Sequence, residues 1–263
     1  SGTASFDAYV RSWTVVLAIL CGLLVLLGVY HVRALPAGGG AAERHSLRDG
    51  LSGLKEVVGA FFQKKHIWYY LGFIILYRLG EGFVMKIVPL FLKADTASGG
   101  LGLTNQQIGL YYGTFGAGAF LLGSLLAGYY IAHRGLRRTL FILCCIFNIP
   151  FAVYALLAWL QPQSMWIVGG GIVLEYFGYG FGFVGLTLFM MQQVAPGRHQ
   201  MAHYAFASGI MNLSVMLTGA VSGYLSDALG YGMFFLAVML ATVPAFLVTW
   251  FVPFTYDDKP NDK

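Results

Sequence analysis

The sequence predicts an all-α membrane protein of seven transmembrane helices: one helix, a connecting segment, and a six-helix bundle built as two inverted three-helix repeats. Three observations carry that prediction. First, 58% of the residues are hydrophobic and 10% charged, with mean hydropathy +0.70, 35 glycines and 16% aromatics, a balance suited to repeated bilayer crossings and close to excluding a soluble domain. Second, seven apolar runs at about 12–32, 67–92, 105–132, 139–160, 164–193, 200–225 and 232–253 are each long enough to span an apolar core roughly 30 Å thick, with some tilt. Third, twelve Lys and Arg lie in the connections 31–66, 133–138 and 194–199 and in the tail after Pro253, against only Arg11 and Lys93 in the others. That bias places the C-terminus in the cytoplasm and the N-terminus outside. It also assigns the net charge of +5 to topology, so no nucleic-acid partner is expected.

Taken in order, the first run, about Trp13 to Val32, is too long for a signal peptide and lacks a small-residue cleavage site. The chain starts at Ser1 rather than Met, and with the odd helix count this predicts a fragment or processed product. Residues 1–34 are thus expected to be a single transmembrane helix. Residues 35–65 are expected to be a cytoplasmic linker, flexible at Pro36 and Gly38 to Gly40. Ser46 and Asp49 then have capping-box spacing, with Asp where Glu or Gln is usual. Leu47, Leu51, Leu54, Val58, Phe61 and Phe62 fall on one helical face, which predicts an amphipathic helix along the inner membrane surface or bundle floor. A six-helix bundle over 66–254 and a cytoplasmic tail over 255–263 complete the expected organisation.

The second run, Ile67 to Leu92, carries Arg78 and Glu81 inside an otherwise apolar helix. At 1.5 Å per residue Glu81 lies roughly 21 Å from Ile67, near mid-bilayer. A charge there costs on the order of 3 kcal/mol and usually faces a partner or a watery cavity. Arg78 and Glu81 are three apart and share a face, whereas Lys86 lies about 80° round from Arg78 on the other side. A simple ion pair that docks helices is one reading, and a site visited by substrate or proton is the favoured one. Pro89 is expected to bend the outer end of this helix.

A shift of 95 residues lays Gly128-Tyr129 and Gly135 on Gly223-Tyr224 and Gly230, and a shift of 94 lays Glu81 on Glu175. Three spans separate the copies, an odd number, so the second is inverted relative to the first, a pattern of transporters with midplane sites. The turn after the third span has glycines and bases at a helix end, with Gly128, Gly135, Arg137 and Arg138 present. Ala132 and His133 stand where an acid and the first base of the signature loop of major facilitator transporters would be. The inverted counterpart keeps Asp227 between Gly223 and Gly230. Positive-inside topology with a glycine turn explains these bases about equally well.

With those residues, Leu76-Tyr77-Arg78-Leu79-Gly80-Glu81-Gly82-Phe83-Val84-Met85, the Gly-Leu-Tyr-Tyr-Gly run from Gly109, Glu175 with Gly178, Gly180 and Gly182, and the stretch from Gly223 to Gly232, the chain resembles the C-terminal half of anhydromuropeptide permeases of the AmpG type. The resemblance covers roughly Ile67 to Pro253, and on it the first span corresponds to the sixth helix of a twelve-helix carrier. It implies a major-facilitator half that imports cell-wall fragments with protons, and a partner N-terminal six-helix half. The family's basic-Leu-Gly-acidic element is matched by Arg78 to Glu81. Lys86 departs from it and leaves open a different substrate, such as an acidic one.

The expected substrate-binding set is Tyr77, Arg78, Glu81, Lys86 and Tyr179, with the cations holding an anionic or peptide portion and the aromatics stacking on sugar. Glu175, with no cation within a helical turn, is expected to carry the proton, with Glu81 as second candidate. Gly128, Gly135, Arg137, Arg138, Gly223, Asp227 and Gly230 are the expected gating elements. Asn148, Gln192, Gln193 and Asn212 are expected to bond across helices. Trp68, Tyr69, Trp159, Trp166 and Trp250 read as interfacial anchors, and His199 and His203 as ordinary interfacial histidines. Cys21, Cys144 and Cys145 lie in apolar runs without paired spacing, so no metal, cofactor or disulfide framework is expected. The expected location is a bacterial inner membrane, with lipid, a small-molecule substrate and protons as partners. Two other classes compete with this reading. A membrane-embedded enzyme such as an acyltransferase needs a His, Ser or Asp cluster at one membrane face, and none is evident. A seven-helix receptor is disfavoured by the inverted repeat and by the lack of a buried lysine in the last span. Another major-facilitator carrier of small anionic solutes is the nearer alternative.

Overall fold

A computed structural model describes residues 2–35 and 47–256, and every regular element among them is helical. The described residues fall into two compact units divided between Gly50 and Leu51. In the first, α1 (Gly2–Ala34) exposes every described side chain from Phe6 to its end. A helix that is apolar all round and buries nothing against protein fits a bilayer span. Pro36, Gly38 to Gly40 and Ser46, on which the linker's expected flexibility and cap rest, lie outside the described residues, as does the tail beyond Tyr256.

Helix α2 (Leu47–Phe62) appears where the amphipathic pattern places it, although the side chains of Leu47 and Leu51 lie outside the described residues. Phe61 is its anchor, 1% exposed and packed on the rings of His203 and Phe206, while Phe62 stacks on Trp68. The expected single helix over 67–92 is instead two, α3 (Ile67–Tyr77) and α4 (Leu79–Lys93). The interruption sits at Arg78 (φ −101°, ψ 9°), and α4 continues through Pro89, where the bend was expected.

After Asp95 a short turn leads to α5 (Asn105–Ile108). Thr104 caps it by accepting from Gln107 N, and the Gln107 side chain bonds back in a capping box. A wide π-turn over Gly109–Phe115 runs into α6 (Gly116–Arg134). Then come α7 (Leu136–Asn148), a tight turn at Ile149–Phe151 with Pro150, α8 (Ala152–Leu160), and α9 (Met165–Phe189), which ends in a second π-turn at Met190–Val194. Last is α10 (Gln200–Trp250), which holds both of the last two expected spans and turns sharply at Gly230.

Among the described residues, five helical stretches are long and apolar enough to cross a membrane: Phe6–Ala34, Asn105–Arg134, Leu136–Leu160, Met165–Val194 and Gln200–Trp250. The difference from seven has two sources. The break at Arg78 divides one expected span into pieces each too short alone, and α10 joins two others end to end.

Gly135 and Gly230, paired by the 95-residue shift, have nearly the same backbone, φ 79° and ψ 147° against φ 72° and ψ 161°. Only glycine adopts that region without strain, so each acts as an elbow between consecutive helices. Two tight helix pairs form the body of the second unit. In α6 against α9, a Cβ on Gly123 would sit 2.3 Å from Phe177 O and one on Gly180 2.1 Å from Phe120 O. In α4 against α10, a Cβ on Gly82 would sit 1.8 Å from Thr218 Oγ1. Inside a bilayer helices gain little from the hydrophobic effect, so such close backbone packing is what holds them.

Candidate functional site

The break at Arg78 sets the site. Because α4 starts at Leu79, Glu81 falls in its first turn, where the positive end of the helix dipole favours a carboxylate. The guanidinium of Arg78 bonds Glu81 through both ends of its fork, Nε to Oε2 and Nη2 to Oε1. Both residues are buried, at 4% and 5% exposure. Arg78 also lies over the Phe183 ring of α9, 5.2 Å from its centroid, a cation–π contact that strengthens away from water. The pair is satisfied internally, as a buried pair must be to repay its desolvation.

Glu175, near the middle of α9, is 6% exposed. Its partner is a phenol rather than a cation: Tyr154 of α8 donates to Glu175 Oε2 at 2.8 Å. The two acids meet in one hollow, lined by Glu81, Val84, Met85, Tyr112, Tyr154, Glu175, Tyr176 and Tyr179. Its volume of about 40 Å³ gives room for water and none for a sugar ring, since one water needs roughly 10–15 Å³ and ligand pockets run to hundreds. Tyr112 comes from the first π-turn, a local widening common where function needs it, and meets Tyr176 edge to face at 4.9 Å. Two carboxyl side chains from different helices thus line one space large enough for water.

Of the expected binding residues, Glu81 and Tyr179 line the hollow together and Arg78 joins through Glu81. Tyr77 is fully buried, bonds Gly182 O at 2.9 Å and packs between Phe73 and Phe147. It does not line the hollow, so stacking on a sugar would require it to leave that packing. Lys86 is exposed on α4, its stem against Gly219. The residues expected to gate do not gather at the hollow. Gly135 and Gly230 form the two elbows, Gly128 and Gly223 have open space where a Cβ would be, and Arg137 lies over Phe254 at 6.0 Å. Arg138 and Asp227 are exposed.

Elsewhere the structure corrects three readings. His203 is 2% exposed and donates from Nε2 to Val57 O, so it is held inside the protein rather than standing as an ordinary interfacial histidine. Asn148 bonds Cys144 O within its own helix. Gln193 grips the backbone of Thr255 and Tyr256 rather than another helix. Tyr154, Tyr112 and Tyr176 were missed. Tyr176 neighbours Glu175 and Tyr112 sits in the Gly-Leu-Tyr-Tyr-Gly run, so both carried a signal, whereas nothing local marks Tyr154. Lys64 was also missed as a contact. It donates to Val194 O and Pro196 O, and burial lowers its pKa.

Comparison with known proteins agrees with this architecture. The Major Facilitator Superfamily model matches residues 74–263. The chain is 26% identical over 188 residues to the anhydromuropeptide permease of Escherichia coli (strain K12), covering 72% of this chain and 37% of that protein. It is 24% identical over 195 residues to the putative transporter AmpG 2 of Rickettsia bellii (strain RML369-C), covering 73% of this chain and 46% of the relative. It thus spans less than half the length of these curated relatives. A chain whose described elements are all helical, several of them of membrane length, and which one family matches over most of its length, points to a transporter rather than an enzyme: the chain belongs to the Major Facilitator Superfamily and resembles its AmpG-type permeases.

Proposed function

We propose that this chain is the C-terminal half of a proton-coupled, alternating-access carrier of a bacterial inner membrane, with its C-terminus in the cytoplasm, that imports muropeptides or related sugar-peptide and saccharide solutes. The observation that carries this reading is the shared hollow, in which two buried acids from different helices meet, one tied to a cation and one to a phenol. Carriers of this kind place coupling groups at the midplane, often beside an interrupted helix, and the break at Arg78 supplies the interruption. Counting α3 with α4 as one crossing and the two arms of α10 as two gives seven crossings. Inverted three-helix repeats are supported by the matched elbows at Gly135 and Gly230. They are also supported by the two glycine-lined pairs, since exchanging the repeats turns α6 against α9 into the first arm of α10 against α4.

In this reading Glu175 carries the proton and Glu81, released from Arg78, is its exchange partner. Arg78, Glu81, Lys86 and Tyr179 contact the substrate, and Tyr77 supports that wall from behind. The hollow is too small for the solute, so the wider cavity forms only against the N-terminal half. The test is Glu175→Gln in the complete carrier with labelled anhydromuropeptide. Uphill uptake is expected to fall at least about tenfold, a barrier change near 1.4 kcal/mol, while downhill exchange persists. Unchanged uphill uptake would remove Glu175 as the coupling residue. Exposed Lys86 favours a second reading, a carrier of other small anionic solutes, and competition of muropeptide uptake by simple anionic sugars would separate the two.

A further inference from the structure

We infer that Tyr154 is the positioning residue of the proton site: its hydroxyl holds the Glu175 carboxyl in the hollow facing Glu81 in both the charged and the neutral state. This rests on the reading of Glu175 as proton carrier. The Tyr154 phenol takes only Oε2 of Glu175 and leaves Oε1 for the hollow that the side chain lines. When water in the hollow gives a proton to Oε1, a new O–H bond forms, the donor O–H breaks, and the carboxylate becomes a carboxylic acid. Its Oε2, then the carbonyl oxygen, still accepts from Tyr154. The contact therefore survives each transfer and fixes geometry without itself gaining or losing a proton.

The phenol is held independently of the acid it serves. Tyr154 is 0% exposed, and its ring packs at 5.7 Å on Phe235 of the second arm of α10. Phe235 in turn packs on Phe91 of α4 at 5.1 Å. Position is thus transmitted from two other helices to a carboxyl on α9, which bonds no cation among the described residues. A side chain kept only to fill the core would need the ring and not the hydroxyl.

Tyr154→Phe keeps the ring and removes the hydroxyl, and Tyr154→Leu removes both. In the complete carrier, with labelled anhydromuropeptide, Tyr154→Phe is expected to lower uphill accumulation by about 3- to 10-fold, the loss of one hydrogen bond, while exchange stays within about twofold. Tyr154→Leu is expected to lower both. On the purified chain in lipid, the infrared carboxyl band that Glu175→Gln removes should move in Tyr154→Phe, a readout that does not depend on transport. Normal accumulation and an unmoved band in Tyr154→Phe, with Glu175→Gln still defective, would overturn the assignment. Equal defects of Phe and Leu in exchange would mean the residue is structural. If Glu175→Gln itself transports uphill, it is the proton assignment that fails.

Discussion

Glu81 and Glu175 border the same hollow and differ in what holds them. Glu81 has both oxygens engaged by a guanidinium three residues away on its own chain segment, and Glu175 has one oxygen engaged by a phenol from another helix. Burial is nearly equal, 5% against 6% exposure, so burial is not what separates them. Glu81 belongs to a closed ion pair whose members depend on each other, whereas Glu175 depends on no opposite charge. The first arrangement serves structure until something competes for Arg78. The second leaves a carboxyl able to change its proton count without stranding a partner.

The largest expected effect breaks the first side of that contrast. Glu81→Gln leaves the Arg78 charge buried without its counter-ion and should cost about 3–5 kcal/mol, read as a large fall in thermal unfolding temperature of the chain in lipid nanodiscs. The double variant Arg78→Met with Glu81→Leu removes both charges and should recover most of that loss. A double variant as unstable as the single one would show that the pair contributes more than mutual neutralisation.

A middle-sized effect concerns the elbows, which join helices packed against the two that carry the acids. Gly230→Ala and Gly135→Ala each force a Cβ into a backbone region reserved for glycine and should cost about 1–3 kcal/mol each. Equal costs would sharpen the parallel between the two repeats, and a cost at only one would break it. The smallest effect belongs to the second side of the contrast. Glu175→Gln keeps an oxygen for the Tyr154 hydroxyl and orphans no cation, so unfolding should change by less than about 1 kcal/mol. A loss matching Glu81→Gln would mean that Glu175 is a structural acid too.

Much of this site was legible before folding. The spacing of Arg78 and Glu81 put them on one face, and the 94-residue shift linked Glu81 to Glu175, because both are properties of helical period and of repeat. The glycine elbows were legible for the same reason, as matched positions between spans. The helix break was not: Leu76 to Gly80 offers no residue that forbids continuation, and Pro89, the residue that normally would interrupt, is tolerated inside α4. The sequence places Tyr77 beside Arg78 as an aromatic expected to stack on sugar. Its position one residue before the break turns it instead toward Gly182, where it is buried.

The helical class, the runs long enough for a bilayer, the Arg78 and Glu81 spacing and the repeating glycines all follow from the order of residues, since each depends on neighbours within a turn or on a count along the chain. It takes the packed fold to bring Glu175 to Tyr154 rather than to a cation, to gather Tyr112 and Tyr179 around one water-sized hollow with both acids, and to leave Lys86 outside it. Those outcomes depend on how closely the helices approach and at what rotation. Close approach is set by backbones meeting at Gly123 and Gly180 and by Gly82 lying against the Thr218 side chain, contacts that no single helix specifies on its own.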